Sequence, residues 1–374
     1  MAFDLAQPRD AADWLIRNPA HGPVFLFCPQ TLAATARTFL TGFPGLVSYA
    51  VKANPDARIL QGLHDAGLRA FDVASPDEMA RVRAVAPGAV LHYHNPIRSR
   101  AEIDQARHFG VASWSVDRMS ELDKLGALDG AEVAVRLKLP VAGAAYDFGS
   151  KFGAPPELAE ALLRAVADRG GRPSMTFHPG TQCPSPAAWQ RYIAACAEIA
   201  GAAGLRLHRL NVGGGFPAHR GGAAPDMQAI FDAIADAARD AFDGTPPPLV
   251  CEPGRAMVAE CMALSVTVKA VDDGAVFLDD GIYGGLSEWR DIAPGDRVRV
   301  VTADGLTRQG DAEPRIVFGP TCDSLDRLPH PLPLPATIAE GDRLIFAGMG
   351  AYSACLVTGF NGYGTRRIEL LQGA

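Results

Sequence analysis

The chain has no run of lysine and arginine, and with 42 acidic against 35 basic residues its formal net charge is -7. A surface of that sign attracts neither a phosphate backbone nor an anionic bilayer, so nucleic acid and membrane are not expected partners. Cysteine is sparse and never in a C-x-x-C pair: Cys28, Cys183, Cys196, Cys251, Cys261, Cys322 and Cys355 form an odd, scattered set. That spacing fits neither a disulfide framework nor a zinc site; no metal is expected, and most of these thiols read as small buried hydrophobes. No segment is long enough and free enough of charge to span a bilayer. The opening residues, Met-Ala-Phe-Asp-Leu-Ala-Gln-Pro-Arg-Asp, carry early acids where a signal peptide has an apolar core. Together these absences predict a cytoplasmic, globular chain.

What is present is a large apolar fraction, 48% of 374 residues, enough for a sizeable core and a length that suggests about two domains. Eight short β-branched or aromatic runs recur between Leu46 and Cys251: Leu46 to Val51, Ala70 to Ala74, Val90 to His94, Ala112 to Val116, Val133 to Lys138, Ser174 to Phe177, Leu207 to Val212 and Pro248 to Cys251. Amphipathic helical segments separate them, such as the one opening at Pro156, where Leu158, Leu162 and Val166 recur at helical spacing. Alternating strand and helix signals predict parallel strands, and eight units predict a closed (β/α)8 barrel. Chemistry in such a barrel sits at the C-terminal ends of the strands. Polar residues fall there: Lys52, Asp72, His94 with Asn95, Arg136, His178, the glycines Gly213, Gly214 and Gly215, then Glu252 and Arg255. Lys52, in Ser48-Tyr-Ala-Val-Lys-Ala-Asn-Pro55, is placed like a Schiff-base lysine: desolvation at a buried strand end lowers an amine's pKa and frees it to attack a carbonyl. Backbone amides of a glycine triplet approach a phosphate closely, although such a triplet taken alone is more often a turn.

After residue 259 the pattern changes to strand alternation with hairpin punctuation: Ser265 to Val271, Asp272-Asp-Gly274, Ala275 to Leu278, Arg297 to Val301, Ala303-Asp-Gly305 and Arg343 to Phe346. This predicts a separate β domain of sandwich or barrel type, to which Gly22 to Phe27 adds a strand. The expected division is residues 28–258 for the barrel, with 1–27 and 259–374 forming the β domain. Leu328-Pro-His-Pro-Leu-Pro-Leu-Pro335 is expected to be an extended connector.

The ordered series Tyr49-Ala-Val-Lys-Ala-Asn54, Phe71-Asp-Val-Ala-Ser75, His178-Pro-Gly-Thr181, Gly213-Gly-Gly-Phe-Pro217, Glu252-Pro-Gly-Arg255, Gly319-Pro-Thr-Cys-Asp323, Gly350-Ala-Tyr352 and Phe360-Asn-Gly362 covers nearly the whole chain. It resembles the fold-type III, pyridoxal-phosphate-dependent basic amino acid decarboxylases, specifically the ornithine decarboxylase family. The resemblance implies that Lys52 carries pyridoxal 5'-phosphate, that Gly213, Gly214, Gly215, Arg255 and Tyr352 hold its phosphate, and that Glu252 keeps the pyridine nitrogen protonated. A protonated ring accepts the electron pair released as carbon dioxide leaves. His178 stacks on the ring in this reading, and Asp72 and Arg136 surround the reacting carbon as supporting polar groups. Thr181 stands where the family usually has serine, so a hydroxyl survives at the position from which the family contacts the phosphate. The resemblance further implies a homodimer in which Cys322 of one subunit returns a proton to the substrate of the other while Asp323 holds its distal ammonium.

One segment departs from the family. Many ornithine decarboxylases follow Asp-Gly-x-Tyr-Gly with an aromatic-Asp-His triplet whose aspartate is the second anchor for the distal amine, whereas this chain reads Asp280-Gly-Ile-Tyr-Gly-Gly-Leu-Ser-Glu-Trp-Arg-Asp291. Glu288 and Asp291 are the candidate replacements, and Tyr283 is expected to face the substrate with them. The implied reaction is decarboxylation of L-ornithine to putrescine, as in polyamine biosynthesis. L-lysine, another diamino acid, a carboxylated polyamine or diaminopimelate are alternatives, and a decarboxylase-like regulatory protein is the non-enzyme reading.

Overall fold

The computed structural model describes residues 7–18, 22–140, 151–290 and 296–371. Among them two compact units separate by contact: Met1–Ala34, Ala218–Ala224 and Val258–Ala374 make one, Thr35–Pro217 and Pro225–Met257 the other.

The second unit contains a closed barrel of eight parallel strands. These are β2 (Gly45–Ala50), β3 (Ala70–Val73), β4 (Val90–Tyr93), β5 (Ser113–Val116), β6 (Glu132–Leu137), β7 (Arg172–Phe177), β8 (Leu210–Asn211) and β9 (Leu249–Cys251), with β9 returning to β2 through Val47 opposite Cys251. All eight coincide with the apolar runs of the sequence, although β8 is shortened to two residues. The intervening helices are α3 (Ala57–Asp65), α4 (Pro76–Val85), α5 (Arg100–His108), α6 (Met119–Leu125), α7 (Pro156–Asp168), α8 (Ala187–Ala203) and α9 (Met227–Ala241), and the short α10 (Arg255–Val258) follows β9. Their starts are fixed locally. Asp56, Ser75 and Asp226 accept first-turn amides of α3, α4 and α9, and Ser99 with Glu102 closes a capping box on α5. In α7 the buried stripe is Ala159, Leu162, Leu163 and Val166, one residue round from the expected Leu158, which is only half-buried. Each large apolar side chain so buried contributes about 1.5 to 3 kcal/mol. Phe39, Phe216 and Phe231 meet edge-on beneath the helices, at centroid distances of 5.3 to 5.8 Å.

The first unit is a mixed eight-stranded sheet. Its strands are β1 (Val24–Phe27), β10 (Met262–Asp272), β11 (Ala275–Leu278), β12 (Val298–Val301), β13 (Ala312–Phe318), β14 (Leu332–Pro335), β15 (Arg343–Phe346) and β16 (Ile368–Leu370), with α1 (Gln7–Arg17) packed through Ala11 and Leu15 on Val24, Leu26 and Ile345. Helix α2 (Pro29–Gly42) runs from β1 into the barrel unit. As expected, the hairpin at Asp272-Asp-Gly274 joins β10 to β11, and β1 adds to the sheet beside β10. The proline-rich stretch differs from expectation: Leu332–Pro335 is a strand paired with β13, not a free connector. It lies at the end of the sheet, where missing proline amides are tolerated, and its leucines alternate inward while the prolines alternate outward.

Candidate active site

The C-terminal ends of the barrel strands gather most of the anticipated polar residues. Lys52 lies two residues past β2, in the 3-10 turn Val51–Ala53, and its Nζ is 4.0 Å from Oδ2 of Asp72 on β3. Its side chain is 51% exposed, which corrects the desolvation argument made from sequence: the turn carries the amine clear of the packed strand end. Asp72 is buried, and burial, with the Glu252 carboxylate next in effect, pushes its carboxyl up to about 7 against the opposing pull of Lys52.

Glu252 follows β9. Its Oε1 accepts from His94 Nδ1 and from Asn211 Nδ2, each at 2.5 Å. Burial alone would raise its pKa, but His94 above all, then Lys52 and Asn211, hold it down to about 2, so of the two neighbouring carboxyls Glu252 is the ionised one. Neither the pairing of His94 with Glu252 nor the part of Asn211 was read from the sequence. The signals were there: His92 and His94 alternate onto one face of β4 and its end, and Asn211 stands two residues before the glycine triplet.

His178, past β7, accepts the Gly180 amide at Nδ1 (3.2 Å), and burial, then Arg136 and Lys52, pushes it down to about 3, leaving a neutral ring. Arg136, on β6, lies over the Phe152 ring at 5.2 Å. Thr181 stands in the loop after Gly180. The glycine triplet is required by geometry. A Cβ on Gly213 would sit 2.0 Å from the Phe177 carbonyl oxygen, one on Gly214 2.8 Å from the Glu252 carbonyl oxygen, and one on Gly215 2.6 Å from the Gly180 carbonyl oxygen. Among the described residues no acceptor takes the amides of Gly214 or Gly215, and Arg255 opens α10 next to this loop in the chain order of the strand ends. Unused amides, a free carboxylate oxygen on Glu252 and a lysine paired with a carboxyl are what a phosphorylated pyridine aldehyde requires, so the residues present fit pyridoxal phosphate.

The remaining anticipated residues belong to the sheet unit. Asp323 accepts the Tyr283 hydroxyl at 2.5 Å and the Leu325 amide at 2.9 Å, which together hold its carboxyl below the ordinary value. Cys322 is exposed, and its amide donates to Asn361. Buried Asp326 pins the loop to the Tyr283 segment by accepting the Ile282 amide at 3.0 Å and the Thr321 amide and hydroxyl at 3.1 and 2.7 Å. Tyr352 adopts a φ of +50°, and its carbonyl accepts from Ser287. Glu288 is buried in an ion pair with Arg220. Its carboxylate therefore faces a guanidinium, an arrangement unlike the open anchor anticipated from sequence. Asp291 lies outside the described residues. No helix among the described residues is long and apolar enough to cross a membrane.

Comparison with known proteins gives a consistent result. Residues 30–259 match the family model of the pyridoxal-dependent decarboxylases, pyridoxal binding domain. The chain is 33% identical over 346 residues to decarboxylase flvG of Aspergillus flavus, covering 85% of this chain and 78% of that protein. It is 32% identical over 334 residues to the lysine/ornithine decarboxylase of Selenomonas ruminantium, covering 85% and 81%. Among solved structures, the arginine decarboxylase of Paramecium bursaria Chlorella virus superposes with a TM-score of 0.86 at 25% identity, over 97% of this chain and all of that one. The lysine/ornithine decarboxylase of Vibrio vulnificus, solved with putrescine, gives 0.80 at 26%, over 97% of each chain.

Proposed function

The chain belongs to the pyridoxal-phosphate-dependent basic amino acid decarboxylases of the ornithine decarboxylase family, and we propose that its substrate is L-ornithine, released as putrescine, with L-lysine second. The observation that carries the substrate choice is Asp323, a carboxylate kept ionised on an accessible loop beside Cys322. A distal ammonium entering a partly buried pocket needs such a partner.

When bound, the cofactor supplies the sink for the electron pair left on Cα as the bond to the carboxyl carbon breaks and carbon dioxide departs. In this reading Lys52 attaches the cofactor, and the amides of Gly214 and Gly215 hold its phosphate with Arg255, Tyr352, Gly213 and Thr181. Glu252, ionised and aimed by His94 and Asn211, keeps the ring nitrogen protonated. Neutral His178 covers a ring face without competing for the same proton. Asp72 sits between Lys52 and Glu252, and Arg136 flanks the reacting carbon. The Cys322 thiol gives its proton to Cα once carbon dioxide has left, and we assign this Cys322, with Asp323 and Tyr283, to the second subunit of a homodimer. A second reading, a longer or carboxylated basic substrate, is favoured by the exposed Arg290 and the Arg220-bound Glu288 in the segment where many relatives place a second acid.

Reduction of the purified protein with borohydride followed by peptide mapping tests the cofactor attachment. The pyridoxyl group is expected on Lys52, and its appearance on another lysine, or on none, would overturn the assignment.

A further inference from the structure

Four polar side chains form a hydrogen-bonded line through the buried interior of the barrel. Glu252 Oε1 meets His94 Nδ1 at 2.5 Å, His94 Nε2 meets Ser113 Oγ at 2.8 Å, and Ser113 Oγ meets His92 Nδ1 at 2.7 Å. The carboxylate accepts, so His94 Nδ1 carries the hydrogen. Asn211 Nδ2 reaches the same Oε1 and sits 3.0 Å from His94 Nδ1, two donors side by side because both aim at one oxygen. Among the described residues Oε2 of Glu252 takes no hydrogen bond.

We propose that His94 is a positioning residue for the acid that faces the cofactor's ring nitrogen, holding Glu252 by Oε1 as a carboxylate so that Oε2 is the oxygen presented to the ring. The inference rests on pyridoxal phosphate being the cofactor. A histidine that only fills the barrel core would meet the same Ser113, but it would not need Glu252, and it would not stand against two carboxyls. One polar atom from each of Asp72, His94 and Glu252 lies within 4.8 Å of the other two. Without a cation there, the two acids share a proton, and a protonated Glu252 no longer holds one on the ring. Burial works against a charged His94, but Glu252 and Asp72 together raise it above the ordinary histidine value.

The test separates the ring nitrogen from the rest of the cofactor. Apoprotein prepared from the holoenzyme is titrated with pyridoxal phosphate and with its 1-deaza analogue, which has carbon in place of the ring nitrogen. The wild type is expected to prefer pyridoxal phosphate by roughly ten- to a hundredfold, the range of one hydrogen bond to a charged group. His94→Ala is expected to lose most of that preference while its affinity for the analogue stays within about threefold of wild type, as Glu252→Gln does, and the double variant is expected to lose no more than either single one. His94→Gln, which keeps a donor but no charge, provides the same comparison if the alanine variant does not fold, and its preference is expected to fall below that of wild type. Equal weakening of both cofactors, or an unchanged preference in the variants, would overturn the role of His94. Failure of the wild type to take up pyridoxal phosphate at all would instead overturn the cofactor reading.

Discussion

Asp72 and Glu252 occupy one buried neighbourhood and titrate in opposite directions because donors are distributed unequally: Glu252 has His94 and Asn211, whereas Asp72 has Lys52 at 4.0 Å. For Asp72 the folded value near 7 stands above the ordinary 3.8, so between those values the folded chain keeps a proton that the unfolded chain has lost. Its contribution therefore destabilises the fold as pH rises through that window. Glu252, lowered to about 2, contributes stability above the ordinary 4.5 that is lost as pH falls through the folded value. Asp72→Asn, which mimics the protonated acid, should raise the melting temperature of the apoprotein by an amount that grows from about pH 4 to about pH 7.5 and then levels. A gap independent of pH in thermal melts would show that Asp72 titrates normally. The sequence carried the identities of these acids, since Asp72 lies within one strand run and Glu252 directly follows another, but not their coupling. Glu252 and His94 are 158 residues apart in the chain, and only closure of the barrel brings β4 and β9 to one place.

Strands and turns explain both what was legible and what was not. The eight barrel runs were legible because parallel strands buried on both faces read as continuous apolar segments between capped helices. The hairpin at Gly274 was legible from turn chemistry. The strand Leu332–Pro335 was not, because alternate prolines argue against a ladder unless the strand lies at an edge. Nor was the exposure of Lys52, which depends on a single 3-10 turn beyond β2. The turn after β8 supplies a direct test. Gly213 and Gly244 both have left-handed backbones, at φ of +68° and +78°, but a Cβ on Gly244 meets nothing within 4 Å whereas one on Gly213 meets the Phe177 carbonyl at 2.0 Å. Gly244→Ala should cost about 1 kcal/mol of stability, the conformational term alone. Gly213→Ala should cost clearly more in chemical denaturation, since a backbone carbonyl cannot swing aside, and should also weaken cofactor uptake. Equal costs would mean that the close approach at Gly213 is absent.

For the whole molecule, the candidate residues divide between the two units: Lys52 to Arg255 in the barrel, and Tyr283, Cys322, Asp323 and Tyr352 in the sheet. If the proposed dimer shares its sites, Lys52→Ala and Cys322→Ala subunits complement each other. After random exchange about a quarter of the sites should be intact by the symmetry of an isologous pair. No recovery in a mixture shown to have exchanged would place both residues in one chain's site. Decarboxylation of a basic amino acid is checked by measuring amine and carbon dioxide release from a panel of ornithine, lysine, arginine and neutral amino acids, with wild type and Asp323→Ala side by side. Putrescine from ornithine is expected with the highest kcat/KM, lysine next and neutral amino acids negligible, and in the variant a KM for ornithine raised by roughly one to three orders of magnitude, as for loss of a charge-assisted contact. Preference for a neutral amino acid, or a substrate ranking unchanged in Asp323→Ala, would contradict the proposed function.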